Sequence, residues 1–362
     1  MDLTSFSLKT LNSSLGKKPV SRMDRIKSEY SHRQLKYRRK MKTWIGIDVS
    51  KKTLDVSWKV GGTVKHLKVS NDKTGFLVLV KKVPSDSHFV MEATGVYYLN
   101  LAFFLSSKKK SLSVVNPLSI KRYGQMLLKR AKTDKADALL IAQYAESQQP
   151  KEWKVSNTKV LQMQQLLALI SKLTIHDRTY ANQLEAFRQN PFCSKVAIRS
   201  LIKMRQQLKE QVKKLEKELY EMAIEYCPKV MEILQSIPGV GNKTAISLVV
   251  ATDGFKKFDD GRKLCSFLGL TPKISQSGTS LNSSKGITKI GQRSARKSLY
   301  MCSIVAMQRN PACKQMYQRM LEQGKPAKVA LIAVSAKIVR QATTMVKKGV
   351  LFDQKLAVNP LT

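Results

Sequence analysis

The apolar and polar positions change their spacing near residue 41 and again near residue 156. From Met41, short apolar runs occur in "MKTWIGIDVS", "LDVSWKV" and "VKHLKVS", and a "GG" pair separates the last two. Such runs around a tight turn predict three antiparallel strands. A helical pattern near 73 to 83, a strand "HFVMEA", an amphipathic helix near 96 to 107 and a strand "LSVVN" follow. A meander that continues as alternating helices and strands indicates an α/β domain over residues 43–152.

The middle of the chain, residues 153–228, contains almost no strand pattern. An apolar residue recurs at every seventh position, with charged residues around it: Leu201, Leu208, Leu215 and Met222, with Val212 and Leu219 as the second apolar position. This spacing predicts a short coiled coil, either between two copies of the chain or as a long amphipathic helix packed on its own domain. Pro191 lacks a backbone donor and should divide the region into two helices.

Residues 229–345 return to a helical pattern interrupted by glycine-rich turns, and residues 346–362 form a C-terminal tail. The string "SIPGVGNKTA" has the form of a helix-hairpin-helix turn. In such a turn Gly239 and Gly241 allow close backbone approach, and the amides near Lys243 face a phosphate, although a plain turn fits the same string. The later "ISQSGTSLNSSKGITKIG" predicts a polar surface loop that leads into a basic helix.

Charge narrows the range of partners. The chain of 362 residues has a formal net charge of +40, from 65 Lys+Arg against 25 Asp+Glu. Such a field attracts polyanions, so nucleic acid is the first partner to consider. The first 40 residues contain eleven Lys and Arg, and residues 1–42 are expected to form an unstructured basic extension.

Other protein classes receive little support from the composition. The longest apolar runs are far shorter than the ~18 residues of a membrane-spanning helix. Five scattered cysteines form no CxxC pair, and the four histidines are dispersed. Neither a disulfide framework nor a Cys/His zinc site is therefore indicated. Because the N-terminus lacks the apolar core of a secretory signal, we expect a cytoplasmic protein.

Four acids stand at positions that suggest chemistry. Asp48 and Glu92 end predicted strands, and Asp134 and Asp137 lie on one face of a following helix. If the sheet has a ribonuclease-H-like order, its first and fourth strands are neighbours, and Asp48 and Glu92 converge with the helical pair. Such a cluster is repulsive unless divalent cations neutralise it, and Mg²⁺ prefers hard oxygen ligands. Each acid also has an ordinary explanation. Asp134 and Asp137 could interact only with the helix dipole after the N-cap Thr133, Asp48 could begin a turn, and Glu92 could be a solvated strand end.

At these residues the sequence resembles the transposases of the insertion sequence 110 family, also called DEDD transposases, which are related to pilin-gene-inverting recombinases. The resemblance spans about residues 43–345. The motifs that carry it are "WIGIDVSKKTLDV", "MEATGVYYLNLA", "VVNPLSIKRYGQ", "AKTDKADALLIAQYA", "LQSIPGVGNKTAISLVVATDGFKKFDDGRKLCSFLGLTPKISQSGTS" and "KGITKIGQRSARKSLYMCS".

The resemblance implies an α/β RuvC-like domain of the ribonuclease-H type, a helical coiled-coil middle and a mainly α C-terminal transposase domain with a helix-hairpin-helix-like turn. It implies a Mg²⁺-binding tetrad and a serine nucleophile that forms a covalent 5′-phosphoserine intermediate with DNA. The serine is Ser277, with Ser275 and Ser280 as close alternatives. The tetrad consists of Asp48, Glu92, Asp134 and Asp137.

The resemblance also implies two nucleic-acid partners, because this family uses a structured non-coding RNA, the bridge RNA, whose loops pair with donor and target DNA. A homodimer or homotetramer is implied as the assembly. Basic residues near the motifs are candidate phosphate contacts, or equally a solvated face: Lys121, Arg122, Lys129, Arg130, Lys285, Lys289, Arg293, Arg296 and Lys297, besides the turn residues Gly239, Gly241 and Lys243.

Two other functions stay open at the level of the sequence. One is a RuvC-like nuclease or Holliday-junction resolvase that uses metal-activated water and forms no covalent intermediate. The other is a nucleic-acid-binding protein without catalytic activity, in which the four acids are structural. The basic extension before Met41 and the serine-rich stretch after the "SG" motif depart from the family pattern, and the second leaves Ser275 and Ser280 as alternatives to Ser277.

Overall fold

The computed structural model describes residues 42–93, 95–128, 133–155, 157–277, 281–288 and 290–354. The chain divides into two compact units, of which the first ends at Val155 and the second begins at Ser156. The predicted extension before Lys42 lies outside the described residues, as do Lys129, Arg130 and Lys289.

The N-terminal unit is built on one five-stranded sheet. Its strands are β1 (Thr43–Val49), β2 (Thr53–Val60), β3 (Thr63–Ser70), β4 (Ser87–Glu92) and β5 (Leu112–Val115), and its helices are α1 (Lys73–Lys82), α2 (Tyr98–Ser107), α3 (Pro117–Met126) and α4 (Asp134–Gln148). The strand order is β3-β2-β1-β4-β5. The first three strands form the predicted antiparallel meander, and β4 and β5 run parallel to β1. The prediction that the first and fourth strands are neighbours is therefore confirmed, and the mixed sheet fits a RuvC-like domain.

The two faces of this sheet carry different side chains, because successive residues of a strand point to opposite sides. On one face Ile45 and Ile47 of β1 and Met91 of β4 are fully buried in a cluster that includes residues of α1 and α2. The other face carries the intervening residues, and Val90 of β4 belongs there to a smaller cluster with residues of α3 and α4. Asp48 and Glu92 occur at positions of this second face.

Gly46 allows α4 to lie directly on the sheet. A Cβ atom at Gly46 would be 2.1 Å from the backbone oxygen of Ala138 and 2.3 Å from the backbone nitrogen of Ala142. Only a glycine leaves room for such a close approach of helix and strand backbones. The contact fixes the middle of α4 against the centre of β1, so the first turn of α4 lies toward the end of β1 that carries Asp48.

The second unit is mainly helical and contains one hairpin of strands. Its helices are α5 (Thr158–Gln189), α6 (Lys195–Tyr226), α7 (Pro228–Ser236), α8 (Asn242–Thr252), α9 (Gly261–Leu268), α10 (Arg293–Arg309), α11 (Pro311–Glu322) and α12 (Ala327–Lys348), and its strands are β6 (Pro272–Ser277) and β7 (Leu281–Ile287). One hydrophobic core joins the long helices α5 and α6 to the helices that follow. The middle region and the C-terminal region, which the sequence separates at residue 228, thus share their core.

The heptad positions of α6 face inward in this unit. Helices α5 and α6 pack along each other as a hairpin, and the connection between them contains Pro191, as predicted. Leu219 is buried, and Val212, Leu215 and Met222 pack against the same core. The packing therefore supports the second alternative for the heptad pattern, a long amphipathic helix that packs on its own domain. Association between copies of the chain stays a prediction.

The prediction of a loop between residues 274 and 287 is wrong, because β6 and β7 pair there as an antiparallel hairpin. The register joins Ser275 to Ser283 and Ser277 to Leu281, with an irregularity near Pro272 and Ile274. Backbone hydrogen bonds hold such a ladder, and strand preference depends strongly on context. A run of serines therefore gives little sign of a strand in the sequence.

One helix among the described residues, Ala327–Lys348, is long and apolar enough to cross a membrane. Its residues Val334, Ile338 and Ala342 are fully buried in the core of the second unit. The apolar character of this helix is thus explained by packing inside the protein.

Candidate active site

Asp48 and Glu92 are neighbours at one edge of the sheet in the N-terminal unit. The parallel pairing of β1 and β4 places Ile47 beside Met91, and the two acids follow one residue later on each strand. Their side chains therefore start from the same face of the sheet, the face that α4 covers. Both acids are half-buried.

The first turn of α4 supplies the other two acids of the predicted tetrad. The helix begins at Asp134, and the side chain of Thr133 accepts a hydrogen bond of 3.2 Å from the backbone nitrogen of Ala136. The N-cap expected from the sequence is therefore present, and acids in a first turn also interact favourably with the helix dipole. Asp134 is exposed and Asp137 is half-buried. The ordinary explanation of these acids is compatible with a role in a site.

The electrostatics of Asp48 indicate that the four carboxylates act on one another. The pKa of Asp48 is raised from 3.8 to about 6, mainly by burial and then, in decreasing order, by the negative charges of Asp137, Asp134, Glu92 and Asp55. Desolvation and like charges both disfavour the ionised form of an acid. The sheet and α4 thus bring together the four acids that the sequence analysis selected, at least closely enough for a shared field.

Asp55 is a fifth carboxylate that the sequence analysis missed. It lies opposite Asp48 in the antiparallel pairing of β1 and β2 and is 5% exposed. Its carboxylate is 3.2 Å from the ammonium group of Lys68 and 3.5 Å from Nε2 of His66. The sequence offered one signal for Asp55: it lies between the apolar residues Leu54 and Val56 of a strand, and a charge in such a place needs a partner.

A short chain of hydrogen bonds connects the same part of the sheet to the start of α4. Nδ1 of His66 is 3.1 Å from the hydroxyl oxygen of Ser57, and this hydroxyl donates a hydrogen bond of 3.4 Å to the backbone oxygen of Lys135. Ser57 is fully buried. The bond to Lys135 holds the helical turn that carries Asp134 and Asp137.

The carboxylate oxygens of this site suit a hard divalent cation, but the four acids do not form a closed set of ligands. Carboxylate oxygens are the ligands that Mg²⁺ prefers, and their mutual repulsion gives a cation a favourable place. In the described part of the chain, however, no group of three or more His, Cys, Asp or Glu residues lies close enough to hold a metal ion. The acids are coupled through their charges without forming a closed ligand set. The fit to a cation rests on donor chemistry and convergence.

Ser277, the predicted nucleophile, ends β6 in the second unit. Its strand partner is Leu281, so it stands at the tip of the hairpin. A strand rises about 3.3 Å per residue, which puts Ser277 roughly 17 Å from Pro272 at the base of the hairpin. Ser275 lies two residues earlier on the same strand, Ser280 lies outside the described residues, and Lys285 lies in β7.

Three of the predicted phosphate contacts line one cavity at the base of the hairpin. The cavity has a volume of about 580 Å³, and its charged walls come from Arg293, Arg296 and Lys297 at the start of α10. The guanidinium of Arg296 donates a hydrogen bond of 2.9 Å to the backbone oxygen of Leu268. Helix N-termini attract anions, and three cations strengthen this tendency. The structure thus gathers these three residues and separates them from Ser277.

The predicted helix-hairpin-helix turn lies between α7 and α8. At Gly239 the φ angle is +98°, and an added Cβ would be 2.8 Å from the backbone nitrogen of Ala306. This glycine is therefore needed for packing against α10. Gly241 is the N-cap of α8 with open space beside its Cα, and Lys243 forms a salt bridge of 3.1 Å with Glu216. Of the three predicted contacts in this turn, Gly241 and Lys243 are exposed and Gly239 is half-buried.

The remaining basic candidates of the N-terminal unit lie on α3. Lys121 and Arg122 are exposed on this helix, which begins directly after β5. They are accessible to a polyanion and also fit a solvated face.

Two protein-family models match the chain. One, the DEDD model of IS110 elements described as Transposase, matches residues 45–192 and includes the four acids. The other, described as Transposase IS116/IS110/IS902 family, matches residues 231–318 and includes Ser277. The two models thus cover both candidate sites.

Individual proteins support the same assignment. The pilin gene-inverting protein of Moraxella bovis is 30% identical over 325 residues, which cover 87% of this chain and 99% of that protein. The protein of the same name from Moraxella lacunata has the same identity and coverage. The insertion element IS110 uncharacterized 43.6 kDa protein of Streptomyces coelicolor is 27% identical over 124 residues, or 34% of this chain and 30% of that protein. Because the similarity to the Moraxella proteins extends over most of the chain and follows the fold and the site, the chain belongs to the IS110 family of transposases and is a DNA recombinase.

Proposed function

We propose that this recombinase cuts and rejoins DNA with two sets of residues, a divalent-cation tetrad and a serine nucleophile. The tetrad consists of Asp48, Glu92, Asp134 and Asp137, the cation is Mg²⁺, and the nucleophile is Ser277. The two Moraxella relatives are named for the inversion of a gene, which requires two strand exchanges at two DNA sites. A transposase of this family binds DNA, and its reaction is the rearrangement of DNA strands.

The observation that carries the proposal is the convergence of the four acids around Asp48. The pairing of β1 with β4, the close approach of α4 at Gly46 and the raised pKa of Asp48 support this convergence. Ionised acids in such proximity repel, and the DEDD transposases are typically metal-dependent. When bound, the cation supplies charge neutralisation at the phosphate and at the leaving oxygen. The carboxylates of the chain hold and orient it.

The role of Ser277 follows from its position and its chemistry. The residue lies inside the matched family region, at the end of β6 where it pairs with Leu281 of β7. In the proposed step its hydroxyl oxygen forms a bond to phosphorus and gives its proton to a base. The bond from phosphorus to the 3′ oxygen breaks, and the departing oxygen takes up a proton from water. The product is a 5′-phosphoserine and a free 3′ hydroxyl. The reverse attack by a 3′ hydroxyl of a new partner restores the serine, so no external energy source is needed.

We propose that a guide RNA selects the DNA sequences on which the recombinase acts. The net charge of +40 suits a protein that binds DNA and a structured RNA together. Base pairing would then select the DNA, and the protein would contact mainly the backbone, as in other guided systems. We also propose a dimer or tetramer, because inversion and transposition join two DNA sites.

The test is covalent trapping on a DNA substrate that contains a nick beside the cleavage site, so that religation fails. We expect a protein–DNA adduct with the wild-type chain and Mg²⁺, and none with Ser277→Ala, while DNA binding is retained. Ser275→Ala is the matched control, because it removes a hydroxyl from the same strand. An adduct with Ser277→Ala and none with Ser275→Ala would transfer the role to Ser275.

The same assay separates the rival functions. Cleavage without any adduct would support a nuclease or resolvase that uses activated water. Asp48→Asn is expected to abolish both adduct and cleavage while binding persists. Cleavage that proceeds in excess chelator, and is unchanged in all four acid variants, would refute the role of the tetrad.

A further inference from the structure

A group of lysines surrounds a cavity at the edge of the sheet opposite to the carboxylates. The cavity has a volume of about 440 Å³, and we call it the lysine pocket; its lining residues are Lys42, Ser85, Asp86, Ser87, Lys108, Lys109, Lys110 and Ser111. These residues directly precede β1, β4 and β5 or begin β4. Because these three strands are parallel, their N-terminal ends meet at one edge and the tetrad lies at the other.

The charge of the lysine pocket is not neutralised by the protein. Four ammonium groups face one carboxylate, that of Asp86. Within the described residues, no ion pair joins any of these lysines to an acid. Lys110 donates a hydrogen bond of 3.3 Å to the backbone oxygen of Ser85, which holds one ammonium group at the rim. Unpaired cations around a cavity favour an anionic ligand.

The positive field of the pocket also acts on the adjoining strand. His88 is buried on β4, directly after Ser87 of the pocket. Burial lowers the pKa of His88, the positive charge of Lys42 lowers it further, and the negative charge of Glu152 acts in the opposite direction. Lys42 therefore contributes to the potential at this edge, although it belongs to a different part of the chain from the other three lysines.

A simpler role for Lys108, Lys109 and Lys110 is interaction with the negative end of the α2 dipole, since they follow the last residue of this helix. This role explains neither Lys42, which comes from another element, nor the cavity. The residues before Lys42 continue the positive charge in the sequence, as "KYRRKM". The combination indicates a binding surface for a polyanion.

We propose that the lysine pocket binds a backbone phosphate of DNA and anchors the DNA away from the reacting strand. The six steps of extended chain from Lys42 to Asp48 span about 20 Å, so a phosphate in this pocket does not take part in cleavage. DNA is the proposed ligand because DNA binding follows from the family. The inference rests on this binding and not on the metal tetrad or the serine, so it can fail while the proposed chemistry holds.

The test measures how the affinity of the full-length chain for a short DNA duplex depends on salt. In a triple variant, Lys108→Gln, Lys109→Gln and Lys110→Gln remove most of the pocket's charge. Each lost phosphate contact lowers the slope of log K against log salt by about 0.9. We expect a loss of about 1 to 2 in the slope and roughly a tenfold weaker affinity near physiological salt.

The matched control removes three exposed lysines from α1 of the same unit, Lys73, Lys81 and Lys82. It changes the net charge equally, and we expect less than half of the effect on the slope. Asp86→Asn gives a change of opposite sign, because it removes the pocket's carboxylate and should strengthen DNA binding. Thermal unfolding of each variant identifies those that fail to fold.

Three results would overturn the proposal. Equal loss of slope in the triple variant and its control would mean that only the general field matters. An unchanged affinity of Asp86→Asn together with an unchanged slope of the triple variant would mean that the pocket binds no phosphate. A loss that appears with a structured RNA probe but not with duplex DNA would assign the pocket to RNA.

Discussion

Removing the negative charge of Asp48 should stabilise the folded protein in the absence of metal. The pKa of this acid is raised from 3.8 to about 6 by burial and by the other carboxylates. The native carboxyl therefore binds a proton more tightly than the unfolded one, and the wild-type chain loses stability as the pH rises from about 4 to 6. Above this range the loss is complete. The amide in Asp48→Asn does not ionise, so the stability of this variant does not fall over the same pH range.

The magnitude follows from the shift. About two pKa units at 1.36 kcal/mol each give roughly 3 kcal/mol as an upper bound. Because Asp48 is only half-buried, screening by solvent reduces this to about 1–2 kcal/mol. For a unit of this size the gain corresponds to about 2–8 °C in the unfolding temperature. Residues that serve catalysis often lower stability in this way.

Thermal and urea unfolding in excess chelator, from about pH 5 to 8, measures the effect. We expect the advantage of Asp48→Asn to increase up to about pH 6 and then to stay constant. Glu146→Gln, at the far end of α4, is the control and should change the free energy of unfolding by roughly 0.5 kcal/mol or less. If Asp48→Asn is no more stable than wild type at pH 7.5, the carboxylates do not repel one another as argued. Added Mg²⁺ should stabilise wild type more than the variant.

Three further predictions concern packing and thiol reactivity. Gly46→Ala should destabilise the N-terminal unit by about 3 kcal/mol or more, because the new methyl would lie 2.1 Å from the α4 backbone. Urea unfolding measures this loss of stability, and a loss below about 1 kcal/mol would contradict the close approach. Gly239→Ala should destabilise the second unit, since its φ is +98° and α10 fills the space, whereas Gly241→Ala has open space and should unfold at the wild-type urea concentration. Burial raises the pKa of the Cys302 thiol to about 12, so this thiol should react with a chromogenic disulfide only after unfolding. The half-buried Cys193 should react in the native protein, and equal rates for the two thiols would argue against the burial of Cys302.

The sheet of the N-terminal unit was predictable because its strands are short, apolar and separated by clear turns or helices. Once Asp48 and Glu92 are assigned to strand ends, the neighbouring positions of β1 and β4 bring them together. The position of α4 was not predictable in the same way. It depends on the absence of a side chain at Gly46, and a glycine in a strand can equally mark a bulge.

The misses have a common physical cause, since they depend on which partner a residue meets in three dimensions. Asp55 looks like an ordinary strand residue until β3 supplies Lys68 and His66. The hairpin of β6 and β7 depends on backbone pairing, which a serine-rich sequence conceals. The heptads of α6 fit a partner helix from another chain or from the same chain; the packing with α5 supports the second, and association between copies stays a prediction.

The two ends of the sheet in the N-terminal unit carry opposite charge, and DNA binding should differ between them. At one end, acids collect where α4 is fixed against Gly46, and without a cation they repel a phosphate. At the other end, lysines surround a cavity with a single carboxylate. DNA should therefore bind the N-terminal unit through its basic surfaces even in chelator, and a cation should add affinity only for the phosphate at the acids. A titration in which Mg²⁺ strengthens binding of the wild-type chain, but not of Asp48→Asn, would distinguish this contribution from general screening, which weakens both equally.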